Sequence, residues 1–459
     1  MSEQMISPAR GAPGAWLAVL RRLHFYIGLA VGPFLLVAAL SGVLYALTPQ
    51  LEDRLYHSAL YTDNQGPALS LAAQVEAARA LVGADVPVFA VRPAPQPGET
   101  TRVQFNAPRL GASESRAIFI DPVTGQARGD MTVYGTSGVL PLRTWIDQFH
   151  RNLMLGAVGR LYSELAASWL WVAALGGLTL WFIQRRRTRS HRPRGLRRVH
   201  STAGLYLLVG LLFFSATGLT WSEWAGGNIG VMRGWWGMST PSVSTALEPG
   251  MAMPMDEHAG HHMMAMDTGA TPMQHGAMFD TALAIARAAG LDGAKVEIRP
   301  AGAADKAWTV TEVGRGWPSQ VDAVAIDPRG MKVVDHVKFA DYPLVAKLTR
   351  WGIDAHMGVL FGLANQLILV AVGIGLVAMT VIGYLMWWRR RPTGSRVPQA
   401  TLLDAWQGLS RRSRGVTLLV LLMLGLLLPV LGVSLLGLIG WDLWLHTRRP
   451  ARLSVAERA

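Results

Sequence analysis

Arg21-Arg22-Leu23-His24-Phe25-Tyr26-Ile27-Gly28-Leu29 decides the fold, because the chain holds a second version of it. At 197–205 the order is Arg197-Arg198-Val199-His200-Ser201-Thr202-Ala203-Gly204-Leu205. In both places a histidine follows an Arg-Arg pair by two residues and opens an apolar run. Gly28 matches Gly204, and Ser41-Gly42 matches Thr217-Gly218. A further histidine precedes the next apolar run in each half. These are His150, after Trp145-Ile146-Asp147-Gln148-Phe149, and His356, after Trp351-Gly352-Ile353-Asp354-Ala355. Gly156 and Gly362 each follow six residues later. The pattern reads as a duplication, with one histidine at the edge of each of four membrane segments.

The composition agrees with a membrane protein. The chain has 459 residues, 51% of them hydrophobic, and runs of about 20 apolar residues are long enough to span a bilayer. Such runs cover Leu23–Leu47, Leu165–Ile183, His200–Leu219 and Leu367–Trp388, with a last stretch inside Val416–His446. The first run is longer than a signal-peptide core and lacks a small-x-small cleavage site near Tyr45-Ala46-Leu47-Thr48, so it is expected to stay as an anchor. The last stretch contains Pro429 and reads as one kinked span, with a hairpin of two short arms as the alternative.

The net charge of +13 does not point to nucleic acid, because the arginines sit where a membrane protein needs them. Residues 184–198 hold eight Arg and no acid, and Arg389, Arg390, Arg391 and Arg396 follow the fourth run. This bias predicts that both clusters and the N-terminus face the cytoplasm of a bacterial inner membrane. Residues 48–149 and 223–355 are then periplasmic. The segments between and around the spans are a disordered 1–15, a basic loop at 185–198, a loop at 389–414 and a basic tail at 447–459.

Each outer segment predicts a small α+β module. In the first, a helix over Leu69–Gly83 is followed by strand-like Val86–Arg92, Thr101–Asn106 and Arg116–Ile120, then an Asp121-Pro122-Val123-Thr124-Gly125 turn. In the second, Phe279–Gly290 is helical, Lys295–Arg299, Trp308–Val313 and Val321–Ile326 are strand-like, and Asp327-Pro328-Arg329-Gly330 is the turn. The fold class is thus a mainly α membrane protein. It has a duplicated four-helix core, a C-terminal membrane segment and two small α+β extracytoplasmic modules.

There are no cysteines, which excludes disulfides, thiolate iron–sulfur clusters and covalently attached haem. Histidine at membrane depth points to function. His24 and His200 share a depth near the inner face, and His150 and His356 share one near the outer face. Two neutral imidazoles at one depth can hold one haem iron axially, so four predict two b-type haems and an electron path across the membrane. Gly28, Gly204, Gly156 and Gly362 would let a porphyrin approach the helix backbone.

At this point the chain resembles the PepSY-associated transmembrane family, whose members include bacterial inner-membrane ferrisiderophore reductases. The resemblance covers about 16–390. It rests on Arg-x-His-x-x-x-Gly in the first and third runs, His-x-x-x-x-x-Gly before the second and fourth, and the two Ile-Asp-Pro turns. It implies a four-helix core, periplasmic PepSY-like domains, and b-type haems on His24, His200, His150 and His356. Ferric siderophore is the substrate it suggests.

One stretch departs from that resemblance. Residues 251–278 carry His258, His261, His262 and His275 among Met251, Met253, Met255, Met263, Met264, Met266, Met273 and Met278. They have no hydrophobic period and read as an exposed loop. Thioether and imidazole together suit copper, which makes copper(II) a second substrate candidate. No G-x-G-x-x-G or P-loop motif provides a nucleotide site, so a reductase of this design needs a separate donor, a cytoplasmic reductase or quinol in the lipid. The expected function is a diheme inner-membrane reductase acting on a periplasmic metal species. The rivals are a non-enzymatic, membrane-anchored copper-binding or sensory protein and, more weakly, a transporter.

Overall fold

The computed structural model describes residues 13–187, 195–247, 276–390 and 401–448. It divides into a helical unit (Met1–Val43, Phe149–Val231, Leu369–Ala459) and a sheet unit (Leu44–Gln148, Met232–Ile368).

The sheet unit holds eight strands. They are β1 (Val88–Arg92), β2 (Thr101–Phe105), β3 (Glu114–Ile120), β4 (Ala127–Tyr134), β5 (Val296–Arg299), β6 (Trp308–Glu312), β7 (Ala323–Asp327) and β8 (Lys332–Val337). The sequence predicts two separate modules, but the strands form one sheet in the order β4-β3-β2-β1-β5-β6-β7-β8. Every pairing is antiparallel, and the halves meet where Val91 of β1 pairs with Ile298 of β5.

That seam is held from both faces. On one face Val91 and Ile298 are buried under the helices Leu71–Val82 and Ala277–Ala288, in a core with Val75, Phe105, Phe279, Trp308 and Ile326. On the other face Arg92 donates from Nε to Glu297 at 2.6 Å, and Arg299 adds a second guanidinium at 2.5 Å. Burial alone would raise the Glu297 carboxyl, but the two arginines outweigh it and hold it below the usual range. The helices are tied as well. Asp280 accepts from the Leu71 and Ala72 amides at 2.7 and 2.9 Å, so a carboxylate on one helix caps the positive end of the other.

Strands β4 and β8 are absent from the sequence reading. Both are edge strands; β4 alternates only weakly, through Ala127, Gly129, Met131 and Val133, and β8 does not alternate. The Ile-Asp-Pro turns have a plain cause. Asp121 accepts from Thr62 Oγ1, Asn64 Nδ2 and the Val123 and Thr124 amides, and Asp327 accepts from the Arg329 and Gly330 amides. Met278, read as part of the Met/His loop, lies in the helix Ala277–Ala288 and packs on the core. The remaining Met and His of 251–278, with His275 the last, fall outside the described residues.

In the helical unit, with the ends of two helices entering the sheet unit, five helices among the described residues are long and apolar enough to cross a membrane. They are Gly14–Ala46, Gly156–Arg186, Leu196–Thr220, Gly362–Arg389 and Pro429–Thr447. The second and fourth begin at Gly156 and Gly362, ahead of the apolar runs that start at Leu165 and Leu367. His150 ends up on a preceding short helix, Pro141–Asn152, and His356 on another, Leu344–His356. Gly156 and Gly362 have φ of +60° and +57°, and an added Cβ would meet nothing at either. Their positive φ serves the left-handed turn into each long helix.

The final stretch is not one kinked span. Leu428 separates Arg411–Leu427 from Pro429–Thr447, and Gly425 and Gly432 bring the two helices into backbone contact. The start of the first arm and the end of the second lie together. There the short helix Leu402–Gln407, just before the first arm, has its Leu402 and Leu403 amides capped by Asp442 at 2.7 and 2.9 Å. Tyr26 of the first span also donates to Asp442. Asn228 Nδ2 supplies the Leu426 and Leu427 carbonyls at 3.1 and 3.0 Å, groups that lie at the end of a helix. Trp169 Nε1 reaches Ser434 at 2.9 Å and docks the hairpin on the second span.

The Asp121 turn gives a pH prediction. Burial raises this carboxyl, but its four hydrogen bonds win and hold it at about 2. The folded value lies below the unfolded ~3.9, so its stabilisation is complete above about pH 4 and is lost as pH falls toward 2. Acid titration of the circular dichroism of the intact protein should show a loss of stability in that window. Asp121→Asn should flatten that component, and an unchanged acid limb in the variant would contradict the assignment.

Candidate functional site

His24 lies near the end of the helix Pro13–Tyr26, and a five-residue π-helix, Ile27–Val31, leads on to Gly32–Ala46, where the span resumes. His200 lies in the first turns of Leu196–Thr220. The two rings approach each other with centroids 6.4 Å apart and planes at 80°. The sequence reading pairs these two residues, and the fold brings them together.

The supports of the pair were not legible. His200 Nδ1 lies 3.2 Å from the carbonyl oxygen of Met379 on the fourth long helix. A carbonyl only accepts, so Nδ1 carries the proton and Nε2 keeps its lone pair. Gly383, one turn on, lies against the same ring, where an added Cβ would be 4.0 Å from Cε1. His24 is flanked by the second long helix. A Cβ on Gly177 would be 3.2 Å from its Cε1, and one on Gly176 would be 3.8 Å from its Nδ1. The Ala173 carbonyl also faces this ring. Nδ1 of His24 is nevertheless buried with no hydrogen-bond partner. Four long helices thus frame the pair. The glycines that make room are Gly176, Gly177 and Gly383. Gly28 meets nothing, and Gly204 packs on Met379.

His150 belongs to the helical unit and His356 to the sheet unit. Ser41 Oγ lies 2.9 Å from His150 Nδ1 and 2.7 Å from the Val37 carbonyl. The hydroxyl has one proton and donates it to the Val37 carbonyl, which leaves its oxygen to accept from Nδ1–H. His150 therefore has the same tautomer as His200, with Nε2 unprotonated. Gly42 lets the ring lie flat on the first span, since a Cβ there would be 3.3 Å from Cε1. This explains the Ser41-Gly42 pair noticed in the sequence.

His356 is the last residue of its helix. Two residues before it, Asp354 is fully buried and bound by Arg315 at 2.7 Å and by Arg350 at 2.7 Å. This clamp anchors the end of the helix that bears His356, and only Asp354 was visible in the repeated motif. Among the described residues, no group of three or more His, Asp or Glu is placed to hold a metal ion.

The family model for the PepSY-associated TM region matches residues 21–390. The chain belongs to that family. The match spans both Arg-Arg-x-His motifs, both later histidines and the whole sheet unit. This PepSY-associated protein is a multi-pass membrane protein in contact with lipid. No curated protein matches the chain.

The Ser41 contact yields a stability prediction. Ser41→Ala removes the hydrogen bond to Nδ1 of the part-buried His150, at a cost of about 0.5–1.5 kcal/mol. The thermal unfolding midpoint of the detergent-purified protein should fall, and Ser41→Thr should keep most of it. Equal midpoints for Ser41→Ala and the parent would contradict the bond.

Proposed function

We propose that this PepSY-associated protein is a b-type diheme electron carrier of the bacterial inner membrane. In this reading it delivers electrons to a metal species on the periplasmic side. The observation that carries the proposal is the His24–His200 pair: two imidazoles on two apolar helices, 6.4 Å apart, with one of them fixed as the Nδ1–H tautomer.

The residues fit an iron porphyrin. His24 and His200 would hold the iron through imidazole nitrogens, and His200 Nε2 keeps the lone pair such a bond needs. The unpartnered Nδ1 of His24 and the small residues around both rings also suit a buried ligand. Haem bound here would supply one-electron redox chemistry. His24 and His200 would hold it at the cytoplasmic end, with Met379 setting the orientation of His200. His150 and His356 would be the ligands at the periplasmic end. There Ser41 sets the tautomer of His150, and the Arg315–Asp354–Arg350 clamp steadies the helix of His356.

The orientation rests on the arginine bias, with the N-terminus in the cytoplasm. The donor is a separate reductase or quinol, because no nucleotide motif is present. A ferric siderophore fits the family, and copper(II) fits the Met/His stretch at 251–278, so the two are the substrates to compare.

Oxidised and dithionite-reduced absorption spectra, with haem quantified per chain, test the reading after expression with adequate haem. Two haems are expected in the parent and about one in His200→Ala or His356→Ala. Gly177→Val, which pushes on the His24 ring, should also lose the inner haem. A parent protein without a reducible Soret band would overturn the proposal and favour a non-enzymatic metal-binding or sensory role.

A further inference from the structure

Pro33 sits inside the first membrane helix, nine residues after His24. In a helix, each carbonyl accepts from the amide four residues on, and proline has no N–H. The carbonyl that loses its donor is that of Leu29. The ring of a helix-interior proline also clashes with that same carbonyl. The chain answers with the π-helix Ile27–Val31, in which Gly32 N bonds to the Ile27 carbonyl five residues back.

The Leu29 carbonyl is not left bare. Tyr384 Oη, from the fourth long helix, donates to it at 2.8 Å. The approach depends on Gly32, where a Cβ would lie 3.1 Å from that hydroxyl oxygen. An unsatisfied carbonyl is unfavourable in hydrocarbon, so this contact stabilises the turn.

The same stretch of the fourth helix holds the other histidine. Met379 accepts from His200, Gly383 flanks its ring, and Tyr384 is the next residue. One helix therefore grips His200 directly and grips the first span five residues past His24. The π-turn also matters for aim. One extra residue in a turn rotates the helix on its N-terminal side by about 100° relative to the helix on its C-terminal side.

We propose that Tyr384 is a positioning residue, and that its bond to the Leu29 carbonyl locks the π-turn that aims His24 at His200. Its significance for electron transfer rests on the proposed function, but the geometry itself does not. Without the hydroxyl, the Leu29 carbonyl loses this donor and the turn is free to re-register, which swings His24 away. Replacing Pro33 by alanine restores the α-helical donor, so the need for Tyr384 disappears.

The absence of cysteine makes a direct test possible. Spin labels on Ala18→Cys and Leu40→Cys straddle the π-turn, and both sites are exposed. Pulsed electron–electron distance measurement should give one narrow distribution in the parent. Tyr384→Phe should broaden and shift it, whereas Tyr384→Phe added to Pro33→Ala should leave the Pro33→Ala distribution unchanged. In the unlabelled protein, Tyr384→Phe should keep the haem content and alter the low-spin EPR signal of the inner haem, which reports the angle between its imidazoles. An unchanged label distance would overturn the clamp. A changed distance with an unaltered EPR signal would overturn its role in aiming His24. Distances that respond in a protein without haem would uphold the clamp and overturn the electron-carrier reading alone.

Discussion

A hydrogen bond to a backbone carbonyl governs the candidate site. An imidazole inside hydrocarbon must have its N–H satisfied. Met379 meets that need for His200 from a different helix. The bond fixes which nitrogen carries the proton, leaves Nε2 free to bind a metal, and forces the third and fourth long helices into one register. Ser41 performs the same task for His150 by passing its own proton to Val37. Polar demands in the membrane are thus what bring the helices together. Tyr26 on Asp442, Trp169 on Ser434 and Asn228 on the end of the first hairpin arm obey the same rule.

The sheet unit obeys a different rule, because water surrounds its edges. Its central seam combines a dry face, Val91 against Ile298, with a charged one, Arg92 and Arg299 on Glu297. The ion pair is buried, so removing one partner leaves a charge without compensation, at a cost of about 3–5 kcal/mol. This pairing makes two sequence-distant segments into one sheet, and Asp280 joins their helices on the apolar side.

Much of this was legible in the residues. Apolar runs gave the first four long helices, and the repeated Arg-Arg-x-His pattern gave the pairing of His24 with His200. Alternation gave six of the eight strands, β1, β2, β3, β5, β6 and β7. What escaped has physical causes. Edge strand β8 lacks alternation, and β4 alternates only through Ala127, Gly129 and Met131 before Val133, a weak apolar signal. The merging of the modules depends on a single strand contact between residues more than 200 apart, which no local pattern encodes. The hairpin at Leu428 was read only as the alternative to one kinked span, because its arms are short and a proline also permits a kink. Gly156 and Gly362 read as room for a ligand, and their positive φ adds a second need for glycine, the turn into each helix, that spacing alone does not show. Gly177 and Gly383, which touch the paired rings, sit in helices with many other glycines, and sequence offers nothing to single them out.

The central claim is that the four histidines form an electron path through the membrane. Sealed vesicles carrying the purified protein, with a trapped reductant and an impermeant ferric or copper(II) chelate outside, test it most directly. The account predicts reduction of the external chelate well above protein-free vesicles, abolished by His24→Ala, His200→Ala, His150→Ala or His356→Ala. Reduction at the protein-free rate, or a rate indifferent to those substitutions, would contradict it.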